Sequence, residues 1–143
     1  MKLVLDNTIL TEDFFSDTRL IGIMAPVKNY YFCWLLNNML GYSFRLDTDI
    51  DKPLRKKKRQ YHFSVYTHSE NDFLKYHLFH NHCDGEYLLP EFRNIDFMLL
   101  MKGDVVEDVK CDNVINSIKN MPSVQMVVEL TNENIKNKQH LVF

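Results

Sequence analysis

Residues His77 to Phe97 read "HLFHNHCDGEYLLPEFRNIDF". This stretch places three histidines and a cysteine within seven positions, then a Pro90–Glu91 pair and Asp96 among large apolar side chains. Such a cluster is either a metal or catalytic site or a strand, a turn and a second strand whose polar residues crowd together. The Asp84–Gly85 pair in "CDGE" is a hairpin turn signal, which favours the second reading. If the first strand runs on to Cys83, alternation sends His80 and His82 to one face and Phe79, Asn81 and Cys83 to the other.

Overlapping its end, "IDFMLLM" from Ile95 to Met101 is apolar on both faces apart from Asp96. That is the pattern of a central strand covered on both sides, with Gly103 as its end. Upstream, "QYHFSVYTH" alternates, with Tyr61, Phe63 and Val65 opposite His62, Ser64 and Tyr66. "HSEND" then turns the chain into a strand from Phe73 to His80, predicting a hairpin. "TRLIGIMA", Thr18 to Ala25, and "SVQMVVEL" after Pro122 read as further strands. Lys2 to Asp6 predicts a short strand, "TEDFFSD" (11–17) a turn, and "NIKNKQHLVF" a final short strand.

Two helices are expected. Pro26 suits a first helical position, Val27 to Leu40 has apolar residues at helical spacing, and Gly41 suits a left-handed cap. The second lies within Glu107 to Asn120, with Cys111, Val114, Ile115 and Ile118 on one face. The order β-β-α-β-β-β-α-β, with hairpins in its middle, predicts one α+β domain over 1–143. Its sheet is largely antiparallel, of about five to six strands, with two helices on one face. Residues 47–60, "DTDIDKPLRKKKRQ", offer little to bury and read as a solvated charged loop.

The 143 residues are 45% hydrophobic and 13% aromatic, enough for one core. Seventeen Lys and Arg against 19 Asp and Glu leave a formal charge of −2, so the chain has no global field for polyanions. Cys33, Cys83 and Cys111 are odd in number and lack a C-x-x-C pair, which argues against a disulfide scaffold or closed zinc site and fits a reducing cytoplasm. No apolar run approaches the ~20 residues needed to cross a bilayer.

For chemistry, His80 and His82 are two metal ligands without an identifiable third, since His62 or His68 would depend on strand register. No metal or cofactor is expected. The chain has no nucleophile elbow, phosphate loop or H-E-x-x-H motif, and Cys83 points away from His80 and His82 in a strand, so no enzyme activity is expected. A metal or enzyme site on His80, His82 and Glu91 is the third-ranked reading. Glu91 and Asp96, costly to bury among Leu89, Phe92, Ile95 and Phe97, are read as structural polar residues.

"LPEFRNIDF", Leu89 to Phe97, resembles the signature of the IPExxxVDY family, small bacterial proteins named for that string. Leu89 stands for Ile, Ile95 for Val and Phe97 for Tyr. "LIGIMAP", "CWLLNNMLG" and "IKNKQHLVF" are also similar to what members carry at those places. The resemblance implies no activity, cofactor or catalytic residue, and Phe97 lacks the phenolic hydroxyl of the signature tyrosine.

The first helix gives the clue to a partner. On a helical wheel Tyr31, Phe32, Leu35, Leu36 and Met39 face the core, whereas Tyr30, Trp34, Asn37 and Asn38 face outward. Either that aromatic face binds a protein partner or a second copy, or the N-terminal strand, loop or tail covers it. The first is the leading reading: a non-enzymatic binding or adaptor domain. The alternative is an RNA-binding accessory protein using Arg55, Lys56, Lys57, Lys58 and Arg59 in the loop 54–59. No small-molecule substrate is evident.

Overall fold

A computed structural model describes residues 18–50, 52–56, 58–103, 106–131, 135 and 138–141. The strand expected at Lys2–Asp6 and the turn at 11–17 lie outside the described residues. Strand β1 (Thr18–Met24) leads into helix α1 (Asn29–Leu40) and the two-residue β2 (Arg45–Leu46). Then come β3 (Lys52–Lys56), β4 (Arg59–Phe63), β5 (Val65–Asn71) and β6 (Leu74–His80). The small ribbon β7 (His82–Cys83) and β8 (Glu86–Tyr87) precedes β9 (Phe97–Gly103), α2 (Asp108–Lys119) and β10 (Met126–Leu130).

The main sheet has six antiparallel strands in the order β10-β1-β9-β6-β5-β2. This is the α+β architecture expected. β9 lies at its centre because both of its faces are apolar: Phe97, Leu99 and Met101 join one core cluster, Met98 and Leu100 the other. Gly103 closes β9 opposite Leu74, where a Cβ would collide with the Phe73 carbonyl oxygen.

Both helices cover one face. Phe32, Cys33, Leu35 and Leu36 of α1 and Cys111, Val114 and Ile118 of α2 pack over Ile21, Ile23, Tyr76 and Leu78. Phe32 stacks on Phe97 with ring centroids 4.5 Å apart. The opposite face is covered by Tyr61 and Phe63 of β4, by Leu88, Leu89 and Ile95, and by Ile135 and Leu141.

Five sequence expectations change. "QYHFSVYTH" is not one strand: it breaks at Ser64 into β4 and β5, which belong to different sheets. Residues 47–60 are not a loop throughout: β3 pairs with β4 as a hairpin, with Pro53 opposite His62 and Lys58 in the left-handed region at φ 64°. Two strands need only one apolar side to dock, and Tyr61 and Phe63 supply it, which the surrounding charges hide. Pro26 does not start the helix. Val27 N–H donates to the Ala25 carbonyl at 2.7 Å, a tight turn about Pro26, and α1 begins only at Asn29. Tyr31 and Met39 are 43% and 52% exposed instead of facing the core, where Cys33 packs. The twelve-residue helix crosses the sheet with a narrower buried stripe than the wheel assigns. Lys138–Leu141 forms a 3-10 turn, not a strand.

Candidate functional site

The end of β6 is organised around a residue the sequence reading passed over. Asn81, fully buried, donates from Nδ2 to the carbonyls of Phe92 and Ile95 at 3.0 Å each and accepts the Leu89 N–H at 2.7 Å. Its own N–H donates to the Asp96 carbonyl and its carbonyl accepts the Leu88 N–H. The segment Leu88–Asp96 is thus wrapped around one amide side chain, which satisfies backbone groups that no strand pairs. The available signal was a polar residue alternating onto a buried face just before a turn.

The Asp96 carboxylate ties this segment to β1. Oδ2 accepts the Ala25 N–H at 2.8 Å and Oδ1 lies 3.1 Å from His82 Nε2. His80 and His82 do share a face, with ring centroids 5.6 Å apart, but His80 stacks on Phe97 and is pushed down to about 4 by burial, then by His82. Among the described residues no group of three or more His, Cys, Asp and Glu side chains could hold a metal. Glu91 lies half-buried in the 3-10 turn Pro90–Phe92, and Cys83 is half-buried in β7.

The third histidine points elsewhere. His77 is 3% exposed, and its Nδ1 lies 2.9 Å from Thr67 Oγ1, which lies 2.7 Å from Asp47 Oδ2. The hydroxyl has one proton and the carboxylate can only accept, so Thr67 donates to Asp47 and His77 donates to Thr67. An imidazole donating to a hydroxyl is not its general base. Burial lowers His77 to about 4, and the chain of three is a strut between β6, β5 and the end of β2.

The outward face of α1 is different in kind. Tyr30 and Trp34 are 63% and 56% exposed, and Tyr31 stacks on Trp34 with centroids 6.0 Å apart and planes within 11°. Lys28 lies 5.9 Å over the Tyr30 ring. Asn38 is exposed, its Nδ2 donating to the Trp34 carbonyl at 2.8 Å. Asn37 belongs with the scaffold: its amide is occupied by both backbone groups of Phe44. The next residue back, Ser43, donates its N–H to His68 Nδ1 at 2.9 Å. His68 must therefore carry its proton on Nε2, facing Glu70 at 3.1 Å. These bonds fix the exit of α1 against the sheet.

Of the basic run, Lys57 and the side chains of Arg55 and Lys56 lie outside the described residues. Arg59 bridges to Asp84 at 2.7 Å and lies 5.1 Å over the Tyr61 ring, so its charge is partly answered within the chain. A scan against protein-family models finds no match to this chain, and a search of curated proteins finds none.

Proposed function

We propose that this chain is a non-enzymatic protein-binding or adaptor domain whose contact face is the outside of α1, centred on Tyr30 and Trp34, with Asn38 beside them and Tyr31 added. The observation that supports the reading most is the stacked, more than half-exposed Trp34. A large aromatic held in one orientation loses little freedom on binding and offers the area that interface centres use. α1 contains no charged residue, matching the depletion of charge at interface centres. The cytoplasm is the proposed location, on three free cysteines; no helix among the described residues is long and apolar enough to cross a membrane. The likeness of Leu89–Phe97 to the IPExxxVDY signature fits a small bacterial protein and carries no activity with it. RNA binding ranks second, weakened by the Arg59–Asp84 bridge.

The test is affinity purification from the native cell, with and without nuclease, of the wild type and of Trp34→Ala. A protein that survives nuclease and is lost with Trp34→Ala supports the reading. Binding lost on nuclease treatment, or retained by the variant, overturns it. Trp34 emission gives the first check: solvent-exposed and readily quenched by acrylamide in the free domain, against blue-shifted and protected if the helix is buried all round.

A further inference from the structure

The outward face of α1 is self-complementary. Tyr30, Trp34 and Asn38 form an i, i+4, i+8 ridge, and such ridges pack between one another when two helices cross at about 50°. Trp34 sits at the middle of the Asn29–Leu40 helix, with Tyr30 and Asn38 equally displaced on either side. A two-fold axis beside Trp34 therefore sets each Tyr30 against Asn38 of the other copy, twice over. The Asn38 amide is tethered through Nδ2 to the Trp34 carbonyl, which leaves its Oδ1 as an acceptor for the Tyr30 hydroxyl of the other copy. With no charged side chain in α1, the two helices meet without like-charge repulsion, and Lys28, over the Tyr30 ring, lies away from the axis.

Resting on the reading of α1 as the contact face, we infer that its occupant is a second copy of this chain, docked antiparallel, α1 on α1, with the two Trp34 side chains beside a two-fold axis. The three aromatics, at 63%, 43% and 56% exposure, offer roughly 350 Å² per copy. That is under half of the ~800 Å² per partner of a standard interface. The dimer is accordingly weak and reversible, and forms as concentration rises.

Sedimentation velocity of the full chain over a concentration series, from micromolar towards millimolar, reads this out. The wild type is expected to shift from monomer to dimer, and Trp34→Glu, which places two like charges at the axis, to stay monomeric with an unchanged circular dichroism spectrum. Because Tyr30 faces Asn38, Tyr30→Lys and Asn38→Glu should each weaken self-association, and mixing the two variants should restore it several-fold as a heterodimer. That rescue does not depend on how Trp34→Glu folds. A wild type monomeric throughout, a Trp34→Glu protein that still dimerises, or no rescue on mixing overturns the inference. If the wild type is monomeric but Trp34→Ala loses a different protein from the native extract, only the second copy is wrong. If that capture is also unaffected, the contact face itself fails.

Discussion

Asn37 holds Phe44 by both of its backbone polar groups, its Oδ1 accepting the Phe44 N–H at 2.7 Å and its Nδ2 donating to the Phe44 carbonyl at 3.1 Å. Between them Gly41 takes the left-handed conformation, φ 73°, that turns the chain out of α1. The clamp is what leaves Asn38, one residue on, at the surface while Asn37 serves the fold.

Removing the clamp strands two partly buried backbone groups. Asn37→Ala should lower unfolding free energy by ~1–3 kcal/mol in a urea titration. Asn37→Asp, which keeps the acceptor and loses the donor, should fall between the two. A variant as stable as the wild type would show that water replaces the amide.

Asn81→Ala should be costlier, about 3 kcal/mol, because the Leu89 N–H and the Ile95 carbonyl lose a buried partner, while the Phe92 carbonyl keeps only the Ile95 N–H. Hydrogen exchange at Leu89 is the local readout and should accelerate well beyond the global change. Asp96→Ala, leaving the Ala25 N–H and His82, should cost ~1–3 kcal/mol.

Stability should fall on mild acidification. His77 and His80 are lowered by burial to about 4 from an ordinary 6.5, so the unfolded chain binds more protons between those values. The stabilisation is complete above the ordinary value and is lost as pH falls from about 6.5 towards 4, by up to ~1.4 kcal/mol per pH unit for each histidine. Denaturant midpoints across that window should show the slope, and His77→Gln should flatten it. A pH-independent midpoint would place both imidazoles in solvent.

Native thiol labelling should be selective. Burial pushes the Cys33 thiol up to about 12 and Cys111 up to about 11, so neither presents a thiolate near neutrality. Iodoacetamide should modify Cys83 in the folded domain and all three cysteines in denaturant, read by intact mass. Rapid native labelling of Cys33 would mean that α1 opens from the sheet.

Strands and helices with a clear period were legible in the sequence: the β5–β6 hairpin, β9, the Asp84–Gly85 turn, at φ 49° and 85°, and the Gly41 cap. What escaped depends on contacts distant along the chain. The β3–β4 hairpin looks like a solvated loop because its docking residues, Tyr61 and Phe63, lie on one strand amid charge. Tyr31 and Met39 sit at the margin of the helical stripe, where the angle of α1 to the sheet, unknowable from periodicity, decides exposure. For the candidate site, the Tyr30–Trp34 pairing follows from spacing alone, but the removal of Asn37 from that face and the hub at Asn81 require knowing which carbonyls come near.

The place of β1 bears on how the chain is made. It is the first of the described strands to leave the ribosome, yet it fits into a slot between β9 and β10, pairing from Ile23 with Phe97 to Leu20 with Leu130. At roughly 5–20 residues per second, Leu130 follows Leu20 by about 5 to 20 s. Until β9 is made, about 4 to 16 s after Leu20 at the same rate, "LIGIM" is an apolar, strand-forming segment with neither neighbour synthesised, while β5 and β6 can already close as a local hairpin. The nascent chain therefore carries β1 unpaired until β9 follows and one-sided until β10 does, and truncation before β10 leaves it an open edge for the next molecule.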